Sequence, residues 1–427
     1  MQAVISPGNV SGSVKIPASK SMMQRACAAA LLHKGTTIIH NPGHSNDDNA
    51  ALTIIQQLGA RIISQTKDYI EIHSEGVNPV SNKIDCAESG LSARLFTPIA
   101  ALSSQAIQIN GRGSLLNRPM DVFENIFSQL EVQLEDFKGC VPFTVRGPLQ
   151  AKHISIDGSV SSQFLSGLLF AFAYSAKETV NIEVHDLKST PYIDLTIEVL
   201  QQFGRYISHD NYKTFYINPA NFETKQHIEI TIEGDWSSAA CWLVAGSIAG
   251  DIVIEGLQTN SNQADISLLS LLQSFENIIE CNNDSISVKA APIESFDFDA
   301  TNCPDLFPLL SILAAASDNE CYITGVHRLW HKESNRADSI TEMLHQFGIA
   351  YSIDEDELFI NGRRRLDYGT IDSFNDHRIV MAAAIGALRA KGDVTILGAE
   401  AINKSYPDFF KHLISLGASC ILTEEQI

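Results

Sequence analysis

The chain has 427 residues, 44% of them hydrophobic and 19% charged, enough to bury a sizeable core and too long for a small stapled scaffold. Thirty Lys and Arg against fifty Asp and Glu leave a formal charge of −20, a field that repels nucleic acid and acidic membrane surfaces and so excludes long-range steering to polyanions. MQAVISPGNVSGSVKIPASK has no apolar leader and no later stretch reaches eighteen apolar residues, so we expect a cytoplasmic protein with no membrane and no nucleic-acid partner.

In chain order, one pattern returns six times. VKIPASKSMMQRACAAALL reads as a strand, a polar turn and a buried helix, and TTIIHNPGHSNDDNAALTIIQQLG as a second strand, a polar loop and an amphipathic helix. The pair recurs from KIDCAESG with AIQINGRG, from ISIDGSVSSQ with TVNIEVHD, and from ITIEGDWSS with DIVIEGLQ. It recurs again from FDFDATNCPD with ECYITGVH and from TIDSFNDHR with DVTILGAE. The second helices close at Gly59, Glu131, Gly204, Glu276, Gly348 and Gly417, in steps of 72, 73, 72, 72 and 69 residues. Gly at four of these positions is the common helix stop. Six units of about seventy residues nearly fill the chain and point to an α/β fold class. A one-dimensional solenoid would also repeat, but it gives no reason for turns so dense in Lys, Arg, Ser, Asp and Glu. The eight cysteines (Cys27, Cys86, Cys140, Cys241, Cys281, Cys303, Cys321, Cys420) form no CxxC pair; we read them as reduced thiols and none as a metal ligand.

The helix starts carry the chemistry, because a helix N-terminus presents unpaired N–H groups and a partial positive charge to an anion. Ser19-Lys20-Ser21 with Arg25 gathers hydroxyls, an ammonium and a guanidinium at the first such mouth. Gly90-Leu91-Ser92-Ala93-Arg94 opens the second with room for close backbone approach at Gly90. Ser161-Ser162-Gln163 opens the third, and Asp376-His377-Arg378 the sixth. The second set of loops is more cationic. Arg118 is followed by Pro119, read as a helix starter; Arg328, Lys332, Glu333 and Arg336 fall within nine residues; Lys404 sits just before the last helix. Singly, each has a plainer reading: Arg118-Pro119 or Ser161-Ser162-Gln163 as a cap or surface ion pair, Asp305 as an N-cap beside Pro304, Glu333 as a partner of Lys332 or Arg336. Their recurrence at equivalent repeat positions favours a site for a ligand with several anionic groups. Gly90, Ser92, Asp305 and His377 also follow serine-hydrolase order, but that reading leaves the cationic loops unused, and no GxxxxGK[ST] loop supports nucleotide chemistry.

Together these motifs resemble one family, the 5-enolpyruvylshikimate-3-phosphate (EPSP) synthases. Pro17-Ala18-Ser19-Lys20-Ser21 with Arg25 is similar to the family's P-G-S-K-S-x-x-x-R, Ser161-Ser162-Gln163 to its S-S-Q, and Ser189-Thr190-Pro191-Tyr192 to its S-x-P-Y. Arg118-Pro119, Pro304-Asp305, Lys332-Glu333-Ser334-Asn335-Arg336, Asn375-Asp376-His377-Arg378 and Lys404-Ser405-Tyr406-Pro407 resemble the remaining signatures. The resemblance implies a two-domain inverted (inside-out) α/β barrel of six βαβαββ units, three per domain. Residues 17–233 would form one domain, on the shikimate 3-phosphate side, and residues 1–16 with 234–427 the other, with the active site in the cleft between them. It implies a monomer without cofactor or metal that moves the enolpyruvyl group of phosphoenolpyruvate to the 5-hydroxyl of shikimate 3-phosphate and releases phosphate.

Residue by residue, the resemblance implies that shikimate 3-phosphate is held by Lys20, Ser21, Arg25, Ser161, Ser162, Gln163, Ser189, Tyr192, Asp305 and Lys332. Phosphoenolpyruvate would be held by Lys20, Gly90, Arg118, Gln163, Arg336, Arg378 and Lys404. Asp305 would take the hydroxyl proton, Lys20 and Glu333 would move protons near the phosphoenolpyruvate carbon, and Lys404 would assist the phosphate end. Ala18 stands where the family usually has Gly, Glu88-Ser89-Gly90-Leu91-Ser92 where N-A-G-T-A is more usual, Asn335 where Asp is frequent and Trp330 where Arg is frequent. Two other readings are kept. The sister transferase acting on UDP-N-acetylglucosamine carries a reactive Cys in its second-unit loop, and GRGSLLNRPM has none. A non-catalytic binder would have no need of Lys20, Asp305 and Glu333.

Overall fold

In the computed structural model, which describes residues 1–276, 279–282 and 285–424, the two helices of each repeat differ in how they are covered. The first helices, α1 (Lys20–Leu32), α3 (Gly90–Ala100), α5 (Ser162–Ser175), α7 (Trp236–Ala249), α9 (Phe307–Ala315) and α11 (His377–Ala387), are buried almost all round. The second helices, α2 (Asn46–Gln57), α4 (Val122–Leu130), α6 (Pro191–Gln202), α8 (Ser267–Ser274), α10 (Arg336–Gln346) and α12 (Phe409–Ser415), bury one face only. Side chains set the starts. Ser19, Ser89, Ser161, Asp235 and Asp376 each accept a backbone N–H from the first turn of α1, α3, α5, α7 and α11, satisfying a donor that burial would otherwise orphan. The ends follow the predicted stops: Gly59, Gly204, Gly348 and Gly417 all have positive φ, and Glu131 closes α4 in the left-handed region at φ 57°.

The chain divides into two units, Ala18–Glu233 and Met1–Pro17 with Gly234–Ile427. Each holds three four-stranded sheets and, at its centre, three of the buried helices in mutual contact: α1, α3 and α5 in one, α7, α9 and α11 in the other. Every sheet runs in the same order. Strand Lys83–Asp85 lies parallel to Ala106–Asn110, which lies antiparallel to Phe143–Arg146, with Gln133–Glu135 at the far edge. Alternation places Ile84, Ile109, Phe143 and Val145 inward. In the first unit α5 approaches α3 at Gly167, where a Cβ would come 2.6 Å from the carbonyl oxygen of Arg94. That carbonyl has no helical donor, because Pro98 occupies the position four residues on.

Two strands pair outside their own repeat. Val10–Lys15, which leads into α1, pairs in parallel with Gly250–Glu255, whereas His227–Thr231, which leads into α7, pairs in parallel with Gly35–His40. The N-terminal strand Gln2–Ile5 completes the sixth sheet between Val394–Leu397 and Cys420–Thr423. No helix among the described residues is long and apolar enough to cross a membrane.

Candidate active site

In the unit Ala18–Glu233, the polar groups gather at the starts of the three central helices. Lys20 is the first residue of α1, and its Nζ donates to Asp47 Oδ2 at 3.0 Å in the first turn of α2. Both side chains are shielded, at 17% and 8% exposure. Asp48, beside it, forms a capping box with Ser45; burial pushes its carboxyl up to about 6, against the pull of the Ser45 hydrogen bonds. Arg25, one turn into α1, is buried and fully engaged. Its Nε donates to Thr196 Oγ1 at 2.8 Å, one terminal nitrogen to the carbonyl of Ser21 at 2.8 Å, and the other to the carbonyl of Tyr192 at 3.1 Å. Burial lowers its pKa to about 10. Arg25 thus ties α1 to α6 and sets Ser21 and Tyr192 about one guanidinium.

The α3 start holds Gly90, where any Cβ would overlap the guanidinium of Arg118, so the absent side chain is the seat of that cation. Arg94, one turn on, donates to Gln163 Oε1 at 3.0 Å and to the carbonyl of Pro119 at 2.9 Å, with its guanidinium over the Phe164 ring. It therefore joins the Gln163 end of α5 to the Arg118-Pro119 loop. Ser161 caps α5, Ser162 is its first residue, and Ser189 at φ 56° turns the chain into α6. Pro119 does not start a helix. Its carbonyl is taken by Arg94 and α4 begins at Val122, where the carbonyls of Met120 and Asp121 accept the first N–H groups.

In the other unit the centre is Asp305, in the short 3-10 turn Pro304–Leu306 ahead of α9. Its carboxylate meets Arg336 at 2.7 Å, Lys332 at 3.5 Å and Arg378 at 3.7 Å. Burial alone would raise its pKa, but these three cations overcome it and hold the carboxyl well below the usual range. Lys332 is lowered to about 8, chiefly by burial. Arg336, with no exposed surface, donates to Asp376 at 2.8 and 3.2 Å and to Glu333 at 2.6 Å as well as to Asp305. Burial works against its charge, yet those carboxylates raise its pKa. Arg378 reaches the carbonyl of Ser237 at 3.1 Å, and Lys404 donates to the carbonyl of Asn375 at 2.6 Å. Asp305, Lys332, Glu333, Arg336 and Arg378 are thus one charge cluster, and Lys404, at the end of the turn Ala399–Lys404 ahead of α12, reaches back to the Asn375 carbonyl on the segment that leads into α11.

Two residues of this cluster were given no site role from sequence, although Asp376 was noted at the start of the sixth helix. Asp376 accepts from Arg336, from Ser334 and from the Arg378 backbone, so it fixes both arginines; an acid at an N-cap directly before His-Arg was the available signal. Asp265 accepts from Ser237 Oγ; burial, then Asp305, pushes its carboxyl up to about 7, and nothing in QADIS marked it. Five cysteines are buried, and burial raises the Cys241 and Cys303 thiols to about 12, which suits packing rather than reactivity.

Comparison with known proteins shows the family. A family model described as EPSP synthase (3-phosphoshikimate 1-carboxyvinyltransferase) matches residues 4–413. The chain belongs to the EPSP synthase family. A 3-phosphoshikimate 1-carboxyvinyltransferase of Clostridium acetobutylicum is 36% identical over 417 residues, covering 97% of this chain and 96% of that one. Another from Methanocorpusculum labreanum is 32% identical over 421 residues, covering 98% and 99%. An EPSP synthase structure from Acinetobacter baumannii matches with a TM-score of 0.82 at 24% identity, covering 99% of this chain and all of that one, which shows the shared inside-out α/β fold. The enolpyruvyl transferase NikO from Streptomyces tendae matches with a TM-score of 0.80 at 16% identity, covering 99% and 98%. These structural likenesses show the fold, and the family model and the curated relatives set this chain with the EPSP synthases.

Proposed function

We propose that the protein transfers the enolpyruvyl group of phosphoenolpyruvate to the 5-hydroxyl of shikimate 3-phosphate. The oxygen of that hydroxyl bonds to C2 of phosphoenolpyruvate while C3 gains a proton; the tetrahedral adduct then loses phosphate from C2 and a proton from C3. Both substrates are multiply anionic, and the feature that carries the reading is the Asp305 carboxylate held by Lys332, Arg336 and Arg378. A carboxylate with three cations is a weak base. Substrate anions arriving among those cations offset their charge and raise its basicity when a hydroxyl proton must be taken.

Lys20, Ser21, Arg25, Ser161, Ser162, Gln163, Ser189 and Tyr192 bind shikimate 3-phosphate in this reading, with Asp305 and Lys332 at its reacting side. Lys20, Gly90, Arg118, Gln163, Arg336, Arg378 and Lys404 bind phosphoenolpyruvate. Lys20 and Glu333 exchange protons with C3, and Lys404 stabilises the departing phosphate. Arg25 and Arg336 each hold protein acceptors on all three guanidinium nitrogens, so their task is orientation as much as charge. The reading includes a monomer working in the cytoplasm. Phosphate release from shikimate 3-phosphate plus phosphoenolpyruvate tests it; release with UDP-N-acetylglucosamine as acceptor, and none with shikimate 3-phosphate, would overturn it.

A further inference from the structure

Glu88 stands where the resemblance makes Asn the more usual residue, and its surroundings give the carboxylate a task. Oε2 accepts from the Ser114 backbone N–H at 3.1 Å and from Ser114 Oγ at 3.3 Å. Gly113 has φ 56°, and a Cβ there would overlap that same carboxylate, so the glycine leaves the space in which Glu88 docks. Gly113 opens the 3-10 turn Gly113–Asn117, and the turn closes on Arg118, whose N–H donates to the carbonyl of Leu115 at 3.2 Å. The guanidinium at the end of this segment rests on Gly90, two residues after Glu88. One short loop therefore grips the arginine segment at its start through Glu88 and receives its end at Gly90. The loop itself is anchored: Ser89 and Ser92 both donate to Gln24 Oε1, at 3.1 and 2.9 Å, which fastens it to α1.

We propose that Glu88 is a positioning residue for Arg118, so that the affinity of this chain for phosphoenolpyruvate depends on the Glu88–Ser114 clamp. The proposal rests on the reading above, in which Arg118 binds phosphoenolpyruvate. The charge-assisted bond to Ser114 fixes the turn, the turn fixes the direction in which Arg118 leaves it, and the anion meets a guanidinium already in place.

Steady-state kinetics on the full chain, varying each substrate in turn, tests this with Glu88→Ala, Glu88→Gln, Ser114→Ala and Arg118→Ala. Loss of the charged acceptor in Glu88→Ala raises KM for phosphoenolpyruvate about tenfold, with kcat and KM for shikimate 3-phosphate nearly unchanged. Glu88→Gln, which keeps an acceptor oxygen at the same reach, recovers most of that loss. Ser114→Ala gives a smaller rise of the same selectivity and serves if Glu88→Ala fails to fold. An Arg118→Ala variant that loses phosphoenolpyruvate affinity while Glu88→Ala and Ser114→Ala do not would overturn the clamp, as would an equal rise in both KM values. An Arg118→Ala variant with normal KM would instead remove the assignment of Arg118, and the inference with it.

Discussion

Asp305 is the residue on which chemistry and electrostatics meet most directly. Replacing it with Asn keeps its size and removes its base, while Arg336 retains Asp376 and Glu333 as partners. Turnover in Asp305→Asn should therefore fall by roughly 10²- to 10⁴-fold, with both KM values changing only a few-fold; near-normal kcat in initial-rate measurements would remove Asp305 from the proton transfer. Lys332 gives a pH test with a definite sign. Burial brings its pKa down to about 8, so its charge is present below that pH and lost above it. The kcat/KM for shikimate 3-phosphate should decline on the alkaline side from about pH 8, and Lys332→Arg, which stays charged, should move that limb upward. An unchanged limb in the arginine variant would assign it to another group. At this scale the sequence displayed the motif residues but not their partners. Arg336 and Asp376 lie forty residues apart, and a spacing of that length carries no local periodicity by which to pair them.

The helices and their stops were legible, because each depends on residues close in sequence: an apolar period, a Ser or Asp cap, a glycine after the last turn. The glycine stops also separate two costs. Gly59 and Gly417 both have positive φ, but a Cβ at Gly417 meets open space, whereas one at Gly59 would overlap the carbonyl of Asn78. Gly417→Ala should cost about 1 kcal/mol for backbone strain alone, and Gly59→Ala distinctly more, because a backbone oxygen cannot rotate aside. Urea unfolding midpoints of the two variants check the order; equal losses would mean that the Asn78 segment yields freely. Strand pairing was less legible. VKIPA and ITIEG carry the same alternation, which reports the buried face of a strand and is silent about its neighbour. Hence the exchange of Val10–Lys15 and His227–Thr231 between repeats could not be read from either segment.

That exchange decides which parts of the molecule can exist alone. Residues 18–233 contain every strand of three sheets, including His227–Thr231 beside Gly35–His40, together with α1 to α6. The segment is continuous and closes its own hydrophobic cluster, from Ala18 to Ile232. Residues 234–427 lack two strands that their sheets require. Without Gln2–Ile5 the sixth sheet loses the strand joining Val394–Leu397 to Cys420–Thr423, and without Val10–Lys15 the strand Gly250–Glu255 loses its parallel partner. Missing ladders leave backbone groups and apolar faces such as Ile252, Ile254 and Ile396 uncovered. Expressed alone, residues 18–233 should melt cooperatively with native-like circular dichroism. Residues 234–427 should aggregate or stay partly folded until residues 1–17 are supplied, as a peptide in trans or through a linker. Cooperative folding of 234–427 without that segment would show that the helices α7, α9 and α11 specify their unit by themselves, and that Gln2–Ile5 and Val10–Lys15 only complete its sheets.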